Sequence, residues 1–182
     1  MSEDPILRVW LAEYEKLKTE QTQRIGFRDN LLYVTLGLFG VIFPPAISNS
    51  ANYYALLVIP WICLILGWTY LVNDEKISAI GRYIRLTLVE SIKVKTGNSN
   101  IETLFAWEIA HRSDLRRGRR KIEQLVIDEL TFVISGIISL ATFLMLVPSP
   151  TIAVYVLGSL EFLILLVLGW EIIVYADLAQ GQ

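Results

Sequence analysis

The sequence predicts an all-α fold in which four transmembrane helices carry cytoplasmic helical extensions that form a helical bundle. Three observations predict it. The 182 residues are 54% hydrophobic and only 19% charged, with a mean hydropathy of +0.51. The apolar residues fall in four long blocks, 31–47, 52–72, 130–147 and 151–176, instead of the short alternations typical of strands. All 16 Lys and Arg residues lie outside those blocks. This pattern argues against a soluble globular enzyme.

Residues 1–30 read as an N-terminal cytoplasmic amphipathic helix. Asp4 offers an acceptor at the cap, and Pro5, with no N–H to leave unsatisfied, suits the first helical position. Ile6, Trp10, Tyr14 and Leu17 then fall on one stripe at spacings of three and four. Glu3, Asp4, Glu13, Glu15 and Glu20 are unlike the basic start of a signal peptide, so this stretch is expected to stay in the mature protein.

Residues 31–72 form the first transmembrane hairpin, with spans 31–47 and 52–72 joined through Ser48, Asn49, Ser50 and Ala51 after Pro44 and Pro45. Residues 130–176 form the second, with spans 130–147 and 151–176 joined by Pro148, Ser149 and Pro150. Each span has the length that crosses a hydrocarbon core of ~30 Å. Five Lys or Arg residues precede the first span, eleven lie in 73–129, and none sits in a turn or after the fourth span. The positive-inside rule therefore places both termini and residues 73–129 in the cytoplasm. Tyr53, Tyr54 and Tyr155 near the outer ends, and Tyr33, Tyr70, Trp170 and Tyr175 near the inner ends, suit interfacial aromatic belts. The single cysteine, Cys63, has no disulfide partner within the chain and reads as packing.

Residues 73–129 read as a cytoplasmic helical hairpin, and 177–182 as a cytoplasmic tail. Ile77, Ile80, Ile84, Leu88 and Ile92 form a stripe that ends at Thr96 and Gly97, the latter suited to a left-handed cap. Ser99 and Glu102 have capping-box spacing, and Ile101, Leu104, His111, Leu115, Ile122 and Leu125 continue at intervals of three, four and seven. Spans two and three thus become the membrane halves of long helices, which with the N-terminal helix can form a three-helix bundle.

Glu161 lies about ten residues from each end of the fourth span and so near the bilayer midplane, where charged side chains cost ~2.5–3.5 kcal/mol on insertion scales. Depth counted inward from the turns puts Ser139, Cys63 and Gly37 at its level and makes Ser139 its expected partner. Gly158, one turn away, leaves room for another helix to approach. Two readings follow: a proton or cation site, or a ring of carboxyls around an oligomer axis, on one side; a protonated acid holding helices together on the other. Glu171 is a second acid near the inner end of the same span. Asp29, Asp74, Glu75, Asp128, Glu129 and Asp177 gather at the inner boundary beside Arg24, Arg28 and Lys76. They suit either an oxygen site for a divalent cation or a solvated collar of ion pairs.

Arg116, Arg117, Arg119, Arg120 and Lys121 form the densest positive stretch, suited to anionic lipid headgroups, to an acidic protein partner or to a nucleotide. It lacks the interleaved aromatics expected for nucleic acid. Glu108 and His111 have the spacing of half a di-iron site, but the chain has one histidine, and a hydrogen-bonded histidine on a bundle seam is the simpler account. No nucleophile elbow, phosphate loop or zinc-protease signature occurs, so no catalytic residue, metal ligand or cofactor is assigned.

Residues 13–40, reading EYEKLKTEQTQRIGFRDNLLYVTLGLFG, centre on a juxtamembrane motif that includes Arg24, Arg28, Asp29 and Asn30, followed by Leu31, Leu32 and Tyr33. This sixth of the chain resembles the start of the first span in a loosely defined group of small bacterial four-span integral membrane proteins of unassigned function. The resemblance implies a bacterial plasma membrane and membership of multi-component signalling or defence systems, with no catalytic role for the motif. Together these features point to an oligomeric, membrane-anchored signalling or effector module whose cytosolic bundle binds a soluble partner. A small ion or proton transporter or channel subunit using Glu161 is the alternative, and a metal-dependent membrane enzyme is a second.

Overall fold

The computed structural model describes residues 4–97 and 116–176, which are helical almost throughout, with no strand among them. The first helix, α1 (Pro5–Ser48), spans 44 residues, ~66 Å at 1.5 Å per residue. Its start follows the sequence: Asp4 Oδ1 accepts from the Ile6 N–H at 2.9 Å, and Pro5 holds the first helical position. The chain reverses at Asn49, which is extended, and the Asn49 side chain accepts from the Ala51 N–H at 3.0 Å. Ser50 and Ala51, expected in the turn, already belong to a 3₁₀ helix, Ser50–Leu57.

That segment leads into α2 (Val58–Tyr83), a wide π turn over Ile84–Leu88, and α3 (Val89–Thr96), so that one rod runs from Ser50 to Thr96. It ends as the sequence implies, with Gly97 at a φ of 61° and its N–H on the Lys93 carbonyl at 3.1 Å. The third rod comprises α4 (Arg117–Asp128), a second π turn over Glu129–Ile134, and α5 (Ser135–Leu146). The fourth is α6 (Ile152–Tyr175). All four rods are long and apolar enough to cross a membrane. The Ser99–Glu102 box, the 101–115 stripe, Glu108, His111 and the 177–182 tail lie outside the described residues.

The first two rods pair antiparallel far beyond the apolar blocks. Leu7, Trp10, Tyr14 and Leu17 of α1 pack on Ile80, Ile84, Leu88, Val89 and Ile92. The α1 stripe therefore starts at Leu7, and Ile6 is exposed. On the facing rod the stripe repeats every four residues, which drifts by ~40° per step on an ideal helix. The wide turn at Ile84–Leu88 absorbs that drift and keeps the apolar edge on α1. Polar ties run along the same seam: Lys95 with Asp4 at 3.2 Å, the Tyr83 hydroxyl donating to Glu13 at 2.8 Å, and Gln21 donating to the Ile77 carbonyl at 3.2 Å. On the third rod, Ile122 is exposed and Leu125 packs on the edge of the larger core.

The larger core centres on the second rod, whose most apolar stretch is 50% buried against 17% for that of α1. Phe132, Leu165 and Leu168 are fully buried there. Two glycines permit this packing: a Cβ on Gly67 would lie 2.8 Å from Leu168 Cδ2 and 3.0 Å from Phe132 Cβ, and one on Gly136 would lie 2.8 Å from Leu165 Cδ1.

Candidate functional site

The charged residues that flank the apolar blocks meet in one layer where the four rods leave the apolar core. Arg28 of α1 is its hub. Arg28 Nη1 donates to Asp74 Oδ1 at 2.6 Å, while Nε and Nη2 donate to Asp29 Oδ1 at 3.1 and 3.0 Å. The guanidinium also lies over the Tyr70 ring, 5.8 Å from its centre. Burial works against the Arg28 charge, but Tyr70, Asp74 and Asp29 outweigh it and hold its pKa above the ordinary value. One turn back, Arg24 pairs with Glu20 at 2.6 Å and donates to Asn73 Oδ1 at 3.3 Å. Of the juxtamembrane motif, Arg24, Arg28 and Asp29 enter the layer, and Asn30 is exposed.

Tyr70 belongs to the interior, not to an interfacial belt. It is 2% exposed, its ring packs on Phe132 at 5.1 Å, and its hydroxyl accepts from Gln124 Nε2 at 2.9 Å. The same hydroxyl faces Asp128, two residues before the third apolar block. Tyr33, at 72% exposure, and Trp170, Tyr175, Tyr155 and Tyr54 do lie on the outer surface. The layer is also drier than a collar of solvated ion pairs. Asp128 is 5% exposed, and Asp128 Oδ1 and Glu129 Oε1 are buried without a hydrogen-bond partner among the described residues. Burial, more than any neighbour, pushes the Asp128 carboxyl up to about 7. Tyr70 and Arg28 pull it down, and Asp74 and Glu129 add to the rise. Glu129 is raised by burial as well, and its carboxylate rests against Gly169 of α6. Glu75 and Lys76 are exposed. No three His, Cys, Asp or Glu side chains converge into a set that could hold a metal among the described residues.

Glu161 is 0% exposed, and both of its carboxylate oxygens lack hydrogen-bond partners among the described residues. The expected pairing with Ser139 does not form. Pro60, lacking an N–H, cannot close a helical bond to the Leu56 carbonyl four residues back, and the Ser139 hydroxyl donates to that carbonyl at 2.7 Å instead. Ser139 does share the level of Glu161, since Gly136 faces Leu165 and Gly158 faces Leu140. Cys63 does not: its thiol approaches the Thr131 carbonyl at 4.0 Å, two turns along the third rod from Ser139. The inward orientation of Glu161 also removes it from any surface through which a second copy could meet it. Glu171 is half-buried near the charged end of α6.

The two levels are separated by a largely apolar interior, in which the buried Ser135 hydroxyl is spent on the Leu130 carbonyl at 2.8 Å. Between Glu129 and Glu161 the interior is filled by Phe132, Leu165 and Leu168, closed against the bare backbones of Gly67 and Gly136. In the basic stretch, Arg117 opens α4, Arg119 pairs with Glu123 at 2.8 Å, and Lys121 Nζ donates to the Ala176 carbonyl at 3.1 Å. Arg116 and Arg120 are exposed and engaged in contacts of their own.

Sequence reasoning missed Tyr70, Asn73 and Gln124 as members of the layer. For Asn73 a signal existed, since an amide at the end of an apolar block must find partners. Its Nδ2 donates to the Thr69 carbonyl at 2.9 Å while its oxygen takes Arg24. No family model matches the chain, and no curated protein or solved structure matches it.

Proposed function

We propose that this chain is a multi-pass protein of a bacterial plasma membrane, with its charged end in the cytosol, that acts as an oligomeric signalling or effector module and not as a catalyst. One observation carries the reading: α1 and the second rod remain zipped from the apolar core to the Asp4–Lys95 pair at their tips, so a force applied at the tips reaches the spans through unbroken helices. A soluble protein partner docking on the cytosolic helices is the input. The segregation of all Lys and Arg to one end supports the orientation. The basic residues Arg116, Arg117, Arg119, Arg120 and Lys121 would rest against anionic lipid headgroups.

A transporter built on Glu161 gains no support from the interior between it and the charged end, where Phe132, Leu165 and Leu168 pack and the Ser135 hydroxyl is spent on the Leu130 carbonyl. The test is purification of the full chain from native membranes under mild detergent, followed by mass measurement of the intact complex. A defined multiple of the chain together with a stoichiometric soluble protein is the expected result. A bare monomer would overturn the reading.

A further inference from the structure

Asp128 stands in an environment that leaves its charge unmatched. From α1 it faces Arg28, with Asp29 beside it, and from α2 it faces Tyr70 and Asp74. On its own rod the neighbours are Gln124, which donates to Tyr70, and Glu129. From α6 this level receives Gly169, against which Glu129 rests, and Glu171 follows two residues on. Arg28 is the single guanidinium of this group, and each of its three side-chain nitrogens already donates to Asp29 or Asp74. Asp128 is thus left beside the Tyr70 hydroxyl, with an enclosed Oδ1 that has no hydrogen-bond partner among the described residues. A carboxylate so placed lacks the cation and the donors that would offset its desolvation, and protonation is the cheaper state.

We propose that Asp128 is a proton-binding site whose occupancy sets how the Arg28–Asp74–Tyr70 layer holds the first three rods together. The proton comes from the solution at the charged end and returns there, with no other group oxidised, reduced or displaced. With the proton on, the carboxyl is neutral and can share a hydrogen bond with the Tyr70 hydroxyl, and Arg28 stays on Asp74. With the proton off, a second buried negative charge stands beside Asp74 and draws on the same guanidinium, which loosens the tie between α1 and α2. The position of the titration, raised by burial to about 7, puts this exchange within reach of ordinary changes in pH. That the cytosol is the source of the proton rests on the orientation proposed above, whereas proton binding itself does not.

The test is an infrared titration of the full chain in detergent micelles, following the protonated carboxyl band from pH about 4 to about 9. In E161Q a carboxyl that loses its proton near neutral pH is expected, and adding D128N to that variant should remove it. Its midpoint should rise in Y70F, which removes a donor to the charged form, and fall in D74N, which removes a neighbouring negative charge. If D128N does not fold, those two opposite shifts carry the test. The proposal is overturned if no carboxyl titrates between pH about 6 and about 8. Indifference of the midpoint to both Y70F and D74N would also overturn it, as would a midpoint that moves with the identity of the added cation at fixed ionic strength. Because no partner is present in the micelles, a failure here is separate from a failure of the signalling reading.

Discussion

Asp128 and Glu161 are both buried acids with carboxylate oxygens that find no hydrogen-bond partner among the described residues, yet their surroundings are opposite. Asp128 lies at the charged end among Tyr70, Arg28, Asp74 and Glu129, groups that can answer a change in its charge. Glu161 lies deep in the apolar core, near Trp61, and its carboxylate oxygens find no hydrogen-bond partner among the described residues. The contrast shows that burial of a titratable group is not sufficient for a responsive site. The group also needs charged and polar neighbours that can rearrange, and the layer at the charged end supplies them.

The largest expected effect is a pH dependence of stability carried by Asp128. Because the folded Asp128 carboxyl titrates above its ordinary value, its protonated form favours the folded state. Stability is then greatest below the unfolded pKa and falls as pH rises through about 7, flattening beyond it. The full difference, from 3.8 to about 7, is on the order of 4 kcal/mol at 1.36 kcal/mol per unit, and thermal unfolding of D128N should lose this dependence. Next in size, Gly67→Val breaks the plug between the two levels. The added atoms collide with Leu168 and with Phe132 Cβ, which cannot move without its helix, so a loss of about 3 kcal/mol is expected in denaturant titrations of the micellar protein.

Glu161→Leu tests the other side of the comparison. Replacing an enclosed acid that lacks partners by an apolar side chain of similar size should raise stability by about 1–2 kcal/mol, with the pH dependence from Asp128 intact. A loss of stability would show that Glu161 makes a bond that holds the core. The smallest effect is expected from Gly37→Ala, on the outer face of α1. A Cβ there meets nothing within 4 Å, and the gain in helix propensity is below about 1 kcal/mol. Equal effects at Gly37 and Gly67 would remove the distinction between an open glycine and one that admits a neighbouring helix.

Much of the layer was legible in the chain, because charge cannot enter an apolar block cheaply and therefore collects at its edges. Arg28, Asp29, Asp74, Asp128 and Glu129 all flank blocks that can be read by eye. Tyr70 was not legible, because a tyrosine near a block end is equally suited to a lipid interface and to a buried hydrogen bond. Only the arrival of Gln124 and Asp128 from the third rod distinguishes the two. Ser139 failed for a related reason: depth counting gave the right level but could not show that Pro60 leaves a carbonyl in greater need of its hydroxyl.

The sequence by itself determined the local structure: the cap at Asp4, the stop at Gly97, four apolar rods and the confinement of basic charge to one end. Those features depend on backbone chemistry and on the separation of apolar from charged residues, both of which are written in residue order. Tertiary structure alone decided which buried acid has answering neighbours, which tyrosine is interior, and that Glu161 faces its own core. Those outcomes depend on register between rods, and register is set where bare glycine backbones, Gly67 and Gly136, let Leu168, Phe132 and Leu165 close in. Periodicity along one helix carries no information about that approach.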